Sequence, residues 1–431
     1  MDQRKIIEYV VIDWGFTWLK LWLLNEEKII IKNSSYETKS LTNTRIFYDA
    51  CGLEKTFKLI KNFFRNCSDK AIIKVFYSCQ MHGISGLLKN NEPFFSTWND
   101  MPLRTEKNNE VNSNLGIPLI SSMPNEKLIQ HNNRYFLKTK ISSVKYSREE
   151  SEVSRLYDPF ELIFKYFMNY KLKTSEFFWQ ASCLNDKDIA KINERKKTNQ
   201  NLDLLMIKKE NIISKLINGK QEIINYPCLG DLQASTYSAI SNHDIVINFG
   251  TGSQVIFSKK YEHIPIINKY YRIYPIFGSL PALSHIPCGR LISEYCKIRC
   301  INFSDIKDSV KNLRYERYIE IIRISKIDLL FFPGFDANRL KYTNNPPTSI
   351  EYLSQYKPDQ VISNWINQYI LIINYIVNQS SNLNKINISI VGNLGGITNE
   401  CIQLMNQITP SHVEINHSKY SLPLSIIDCF N

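Results

Sequence analysis

Short apolar runs separated by polar turns open this chain, and they predict strands followed by a helix. Three such runs lie close together near the N-terminus, at Ile7–Ile12, Leu19–Leu24 and Lys28–Lys32. An amphipathic helix is predicted from Gly52 to Phe64, and a further strand from Ala71 to Tyr77. The N-terminal part is therefore expected to begin with a strand-turn-strand unit that a helix follows.

The middle of the chain is more polar and less regular. Residues 104–150 are rich in Asn, Ser and Lys and predict loops and short helices, whereas residues 185–215 predict solvated helices. Between these stretches, Ser151–Tyr170 places its apolar residues at helical spacing on one face. The aromatic segment Phe177–Ser182 predicts a strand or another buried segment.

A second strand-turn-strand unit begins after a short helix. The helix is predicted at Leu232–Ile240 and the strand at Ile245–Ile247. A long amphipathic helix and a buried strand are predicted further on, at Val361–Val377 and Ile386–Val391. Because 431 residues exceed what one hydrophobic core usually holds, we predict two domains, 1–242 and 243–431.

The composition is that of a soluble globular protein, with 43% hydrophobic and 22% charged residues. The net charge of +12 could indicate an anionic partner, but the basic residues are scattered among Asn and Ile, as an AT-rich genome would produce. We therefore predict no nucleic-acid partner.

The cysteines and the apolar runs bear on the cellular compartment. Ten cysteines include no CxxC pair, and the closest spacing is Cys296 to Cys300, which favours reduced thiols in a cytosolic protein. Glu8 and Asp13 interrupt the N-terminal apolar segment, so it does not read as a signal peptide. No apolar run approaches the roughly 20 residues that a membrane span needs. A cytoplasmic protein without a membrane partner is expected.

Candidate chemistry is concentrated between Gly230 and Gln254. Asp231 opens the predicted helix, and the small-residue turn Gly250-Thr251-Gly252-Ser253 follows the predicted strand. Glycines let backbone N–H groups approach a phosphate closely, and hydroxyls add donors. A proton-accepting acid before such a turn suggests phosphoryl transfer; the alternative is an ordinary hairpin.

A second glycine-bearing turn lies near the N-terminus, where Asp13 ends a strand and Gly15 and Thr17 follow. The carboxylate could hold Mg²⁺ through water, because this ion prefers one or two carboxylates plus phosphate oxygens. The alternative is a hairpin in which Asp and Gly have their usual turn roles.

Polar groups suited to a polyol follow the strand at Ala71–Tyr77. His82 lies in Gln80-Met81-His82-Gly83, and Trp98 and Asp100 lie in the polar loop after it. Carboxylate and amide oxygens bind hydroxyls, and an indole covers C–H faces. A histidine after a strand is also commonly structural, so both roles stay open for His82.

Taken in order, these motifs resemble the FGGY family of carbohydrate kinases over most of the chain, from about residue 7 to about residue 400. The motifs are D-x-G-x-T-x-x-K at 13–20, Q-M-H-G at 80–83, T-W-x-D at 97–100, G-D-x-Q-A-S at 230–235 and G-T-G-S at 250–253. The resemblance implies an α/β protein with two ribonuclease-H-like domains of the actin/hexokinase type and a cleft between them. The motif at 230–235 is most similar to that of sedoheptulokinase, and the motif at 80–83 is shared with xylulokinases, so a ketose substrate is expected.

The resemblance also implies roles for individual residues. Asp231 would be the general base, and Asp13 would position Mg²⁺ through water. The implied sugar-binding residues are Met81, His82, Trp98, Asp100 and Gln233. The implied ATP- and phosphate-binding residues are Asp13, Gly15, Thr17, Lys20, Gly250, Thr251, Gly252, Ser253, Gly395, Gly396 and Asn399.

Several positions depart from the family pattern. Phe16 and Trp18 replace small hydroxyl residues of the first phosphate turn, and Ala337 and Asn338 replace the Gly and Glu of a later family motif. The C-terminal segment after residue 421 is shorter than the family's closing helix. These departures keep open an alternative, a protein that binds sugar or nucleotide without phosphoryl transfer.

Overall fold

The computed structural model describes most of the secondary structure of the chain. The described residues are 6–42, 47–69, 71–80, 83–88, 90–97, 153–170, 214–218, 221–250, 252–261, 272–273, 280–324, 353–379, 385–392, 394–418 and 421–430.

The first half is organised around a six-stranded sheet with the order β3-β2-β1-β5-β10-β9. Its strands are β1 (Ile7–Trp14), β2 (Trp18–Leu24), β3 (Ile30–Glu37), β5 (Ile72–Cys79), β9 (Ser214–Asn218) and β10 (Gln221–Gly230). The strands β1, β5 and β10 run parallel, and β2, β3 and β9 pair antiparallel at the two sides.

A four-stranded sheet and three helices pack on one face of this sheet. The strands are β4 (Phe47–Tyr48), β6 (Ile84–Leu88), β7 (Pro93–Ser96) and β8 (Val153–Tyr157), in the order β4-β7-β6-β8. The helices are α1 (Thr38–Leu41), α2 (Ala50–Phe63) and α3 (Pro159–Met168). Trp14 lies at the centre of this core, edge-on to the rings of Tyr48, Phe95 and Phe160.

The second half repeats this arrangement with the order β13-β14-β12-β11-β15-β16. Its strands are β11 (Ile245–Phe249), β12 (Gly252–Phe257), β13 (Arg272–Ile273), β14 (Leu280–Pro287), β15 (Ile386–Val391) and β16 (Val413–His417). In the first sheet, β1 and β2 form an antiparallel hairpin, and β5 and β10 run parallel to β1. In the second sheet, β11 and β12 form the hairpin, and β15 and β16 run parallel to β11. The two halves therefore share one supersecondary plan, although no repeat is visible in the sequence.

Helices connect and cover these sheets. They are α4 (Asp231–Asn242), α5 (Gly289–Arg299), α6 (Phe303–Lys311), α7 (Tyr315–Ile324), α8 (Pro358–Gln379), α9 (Thr398–Ile408) and α10 (Leu422–Asp428). The long helix α8 buries Trp365 and Tyr369 against Phe249 of β11, in the core of the second half.

The last helix returns to the first half of the molecule. Ile426 and Ile427 of α10 are buried in one cluster with Val11 and Phe76. The Ser425 hydroxyl donates a hydrogen bond of 2.6 Å to the carbonyl oxygen of Ala234 in α4. The helix that carries Asp231 therefore packs against the C-terminal segment. The predicted domain limits, 1–242 and 243–431, stay a prediction.

Two predicted elements differ from the structure. The third strand lies at Ile30–Glu37 instead of Lys28–Lys32, because it is a largely exposed edge strand held by pairing to β2, so its position leaves little hydrophobic signal. Residues 153–157 are the strand β8 and not part of a helix. The helix begins only after Asp158, whose carboxylate accepts hydrogen bonds from the Phe160 and Glu161 amides and caps α3.

The remaining described elements lie close to their predicted positions, including α2, β5, α4, β11, α8 and β15. Most of residues 104–150 and 185–215, and all of 177–182, lie outside the described residues. None of the nine cysteines within the described part of the chain forms a disulfide bond. Burial raises the pKa of the Cys67 and Cys288 thiols to about 12, so both stay protonated at neutral pH. Among the helices that the structure describes, none is long and apolar enough to cross a membrane.

Candidate active site

Asp13 and Asp231 lie at the same edge of the first sheet. Asp13 is near the carboxyl end of β1 and is paired with Ser78 of β5, and Asp231 follows β10 on the other side of β5. Because neighbouring strands lie about 4.8 Å apart, the two backbones are separated by roughly 10 Å. Burial, and after it the charges of Asp231 and Asp13, raise the pKa of the Cys79 thiol, which lies between the two acids. The sheet therefore brings the two predicted acids to one site.

The Asp13 carboxylate is buried and has two partners. The Ser78 hydroxyl donates a hydrogen bond of 2.6 Å to its Oδ1, and the Lys20 Nζ lies 3.8 Å from its Oδ2. Burial raises the pKa of Asp13, whereas the Lys20 charge and the Ser78 hydrogen bond lower it, and the net direction is upward. Lys20 reaches Asp13 because the two residues are directly paired across the β1–β2 hairpin.

Gly15 keeps the space beside this carboxylate open. Its amide donates to the Trp18 carbonyl at 3.0 Å and closes the hairpin. A Cβ at position 15 would lie 3.3 Å from that carbonyl oxygen and 3.9 Å from the Asp13 Oδ2. Thr17 lies half-buried in the same turn, and its carbonyl accepts a hydrogen bond from the Thr38 amide at 3.0 Å.

Asp231 is the first residue of α4. Its Oδ1 accepts a hydrogen bond of 2.8 Å from the Leu232 amide, and a carboxylate in the first turn interacts favourably with the helix dipole. Gln233 is buried, and its side-chain oxygen accepts a hydrogen bond of 2.9 Å from the Gly230 amide. Gln233 therefore orients the turn that presents Asp231, and its predicted contact with a sugar stays a prediction.

A buried residue that the sequence reasoning left out of the site is Gln80. It follows β5, and its backbone amide donates to the Trp14 carbonyl at 3.0 Å, next to Asp13. Gln80 is 1% exposed, and neither carboxamide atom has a hydrogen-bond partner among the residues that the structure describes. A buried carboxamide without partners is rare, because it keeps the full cost of desolvation. Its position in the Q-M-H-G motif is the feature of the sequence that could have indicated a place in the site.

In the second half, the turn between β11 and β12 carries Gly250 and Gly252. The Gly289 amide, at the start of α5, donates to the Gly250 carbonyl at 3.0 Å. Among the described residues outside the turn itself, no atom lies within 4 Å of the place where a Cβ of Gly252 would be, so this glycine borders open space. Ser253 is buried, so its hydroxyl does not border the same open space.

A second glycine turn meets this edge of the sheet. The parallel pairing of β11 with β15 places Gly392 beside Phe249, and a Cβ on Gly392 would clash with the Phe249 carbonyl oxygen. Gly395 and Gly396 have φ values of +55° and +78°, which favour glycine. The Phe303 ring lies directly against Gly395.

Charged and polar side chains surround this turn. The Lys307 Nζ is 3.6 Å from the place of a Gly396 Cβ and 3.8 Å from a Glu400 carboxylate oxygen. Asn399 is exposed at the start of α9. Gly395 and Gly396, which are predicted to bind the nucleotide, thus lie at one edge of the second sheet, beside the Lys307 ammonium.

Several predicted site residues lie outside the described residues: Met81, His82, Trp98, Asp100, Thr251 and the segment 331–339 that contains Ala337 and Asn338. Their predicted roles stay predictions.

The sequence matches no protein-family model and no curated protein. Solved structures do match. The chain is similar to xylulose kinase from Lactobacillus acidophilus, with 15% identity, a TM-score of 0.59 and coverage of 98% of this chain and 89% of that one. Gluconate kinase from Lactobacillus acidophilus gives 14% identity, a TM-score of 0.60 and coverage of 99% and 88%. Plasmodium falciparum glycerol kinase with ADP gives 13% identity, a TM-score of 0.54 and coverage of 99% and 88%. The chain therefore has the fold of these carbohydrate kinases, as the resemblance of its motifs predicted.

Proposed function

We propose that this protein transfers a phosphoryl group from ATP to a primary hydroxyl of a sugar. The observation that carries the proposal is the placement of Asp13 and Asp231 at one sheet edge, on strands separated only by β5, in a carbohydrate-kinase fold. Phosphoryl transfer depends on positioning of the acceptor and on neutralisation of phosphate charge. An acid that accepts a proton and a second acid near a cation fit these two requirements.

Asp231 serves as the general base in this proposal. It lies at the start of α4, half-buried, and takes the proton from the acceptor hydroxyl as the oxygen attacks phosphorus. General-base assistance typically contributes about 10²–10⁴ in rate, or roughly 3–5 kcal/mol at the barrier. The Gln233 hydrogen bond to the Gly230 amide fixes the turn from which Asp231 projects.

The phosphate side is formed by Asp13, Lys20 and the glycine turns. Mg²⁺ bound to ATP supplies charge neutralisation, and Asp13 suits that ion as an oxygen donor through water, since Gly15 leaves room beside its carboxylate. The Lys20 ammonium and the backbone amides of the turn at Gly250 and Gly252 stabilise negative charge on the phosphates. Gly395, Gly396 and Asn399 lie where adenosine is expected.

The acceptor in this proposal is a ketose. The motif at residues 230–235 supports sedoheptulose, which would yield sedoheptulose 7-phosphate, and the motif at 80–83 equally supports a xylulose-like substrate. The xylulose kinases among the similar structures are compatible with either ketose.

A coupled assay of ADP release with ATP, Mg²⁺ and sedoheptulose, xylulose, ribulose or glycerol tests the proposal. We expect turnover with a ketose, and loss of about 10²–10⁴ in kcat in Asp231→Asn. Asp308→Asn is the matched control, because Asp308 is an exposed acid on α6. Turnover retained in Asp231→Asn, with an unchanged fold, would remove the assigned base.

A second candidate function is binding of sugar or nucleotide without transfer. It is favoured by the burial of Asp13, which raises the pKa of that carboxyl and weakens it as an ion ligand, and by Phe16 and Trp18 in the phosphate turn. Calorimetry that showed ketose binding without phosphorylated product would favour this function.

A further inference from the structure

A groove lies on the β2–β3 hairpin beside Asp13. It has a volume of about 270 Å³ and is lined by Trp18, Lys20, Trp22, Asn33, Ser34 and Ser35. Strand alternation places the first three of these on one face of β2, while Leu19 and Leu21 are buried on the other face. Ligand pockets commonly have about 300–1,000 Å³, so this groove suits a molecule no larger than one sugar ring.

The two tryptophans of this groove differ in exposure, because Trp22 is half-buried and packs against the cluster that contains Val11 and Phe76. Trp18 is 42% exposed, whereas Trp14 and Trp365 are completely buried in the two cores. Indole faces cover the C–H faces of a sugar ring well, because the ring is apolar on its faces and polar at its edge.

The polar groups of the groove are placed between and opposite the indoles. Lys20 lies between Trp18 and Trp22 on β2, and the strand register sets Ser35 opposite Lys20 and Asn33 opposite Trp22. Hydroxyl and carboxamide groups both donate and accept hydrogen bonds and therefore suit sugar hydroxyls, whereas an ammonium only donates and favours an anion.

Lys20 also connects the groove to Asp13. Its side chain is 39% exposed, and its Nζ is 3.8 Å from Asp13 Oδ2, longer than a hydrogen-bonded ion pair. The ammonium therefore can approach an anion in the groove, and an anion there changes the charge that Asp13 experiences.

We propose that this groove binds an anionic monosaccharide, a sugar acid or a sugar phosphate, with its ring between Trp18 and Trp22 and its anionic group at Lys20. This site goes beyond the proposed phosphoryl transfer, and its binding can be measured without ATP or turnover. If the proposed function also holds, a ligand in the groove competes with the ATP phosphates for Lys20 and raises the KM for ATP.

Intrinsic tryptophan fluorescence of the full chain tests the site, with D-glucuronate, glucose 6-phosphate, glucose and inorganic phosphate as probes. We expect glucuronate, glucose 6-phosphate or both to change the emission of Trp18 and Trp22 in a saturable way. Glucose is expected to bind about tenfold more weakly, because it lacks the charge-assisted hydrogen bond. Which of the two anions binds more tightly separates a sugar-acid site from a sugar-phosphate site.

Three variants locate the binding. Lys20→Met is expected to lower the affinity for the anionic sugar to that for glucose, and Trp18→Ala to abolish most of the emission change. Asn33→Ala, on the exposed edge strand, provides a second test if Trp18→Ala does not fold. Lys32→Ala is the control, because Lys32 is exposed on the same strand but is paired with Leu23, a core residue of the other face.

Four results would overturn the proposal. The first is no emission change with any probe, and the second is equal binding of inorganic phosphate and the sugar anions, which would indicate only an anion at Lys20. The third is binding of glucose that is as tight as binding of the tighter of the two sugar anions. The fourth is an unchanged affinity in Lys20→Met and Asn33→Ala.

Discussion

Gln80→Met separates the stability of the protein from its proposed activity. Gln80 is 1% exposed, and its two carboxamide atoms have no partner within the described part of the chain. A buried polar group without a partner costs about 1–3 kcal/mol, and Met has a similar shape without a carboxamide. We therefore expect the free energy of unfolding to rise by about 1–3 kcal/mol.

The magnitude is measurable by urea and thermal denaturation. For a domain of 150–250 residues, 1 kcal/mol corresponds to roughly 2–4 °C in Tm, so a clear increase is expected. Under the proposed function, the same variant leaves the KM for the ketose unchanged, because the buried carboxamide is not accessible to a sugar hydroxyl. Stability thus changes while substrate affinity does not.

Gln403→Met is the matched control. Gln403 is exposed on α9, far from either acid in the sequence and in the second half of the molecule, and surface substitutions usually change stability by less than about 0.5 kcal/mol. A loss of stability of more than about 1 kcal/mol in Gln80→Met would refute the reasoning, because it would show that the carboxamide has a partner in the folded protein.

Three further predictions concern stability. Burial raises the pKa of Asp13 in the folded protein, so the wild type should gain stability as the pH falls from the folded pKa towards the unfolded pKa. The variant Asp13→Asn should lose that part of the pH dependence, and urea denaturation profiles that are identical for the variant and the wild type at each pH would contradict this. Gly392→Ala should lower Tm measurably, since φ is +95° and the Cβ would meet the Phe249 carbonyl; an unchanged Tm would mean that the turn relaxes freely. Ile426→Ala should cost about 2–5 kcal/mol in chemical denaturation, with Leu424→Ala, at a partly buried position, as a milder comparison, and equal losses would argue against the packing of α10 described above.

The hydrophobic pattern predicted the central strands because their burial is nearly continuous. Ile245–Ile247 and Ile386–Val391 were found as strands in the second sheet, and Asp231 was placed correctly at the start of a helix. The edge strand β3 was displaced, since its residues are mostly exposed and its position is fixed by pairing to β2. Residues 153–157 imitate helical spacing, and the Asp158–Pro159 pair that begins the helix was the overlooked signal.

The candidate site was predictable only where a motif carried it. Asp13 and Asp231 were identified from their turns, and the sheet register then placed them at one edge. Two features could not be predicted: the Gln80 carboxamide without a partner among the described residues, and the Trp18–Trp22 groove. Both depend on which side chains surround them in the fold, and the spacing of residues along the chain does not encode this. The return of α10 to the first half depends on contacts between residues far apart in the sequence, such as the Ser425–Ala234 hydrogen bond, whose partners are 191 positions apart.

This contact has a consequence for biosynthesis. The apolar patch around Val11 and Phe76 is synthesised well before Ile426 and Ile427, which cover it and lie about 350 to 415 positions further along the chain. Until they leave the ribosome, the nascent N-terminal half keeps an uncovered apolar surface, which is a binding site for chaperones and a risk of aggregation. A ribosome stalled shortly before residue 422 would therefore carry a chain whose first sheet is formed but not sealed.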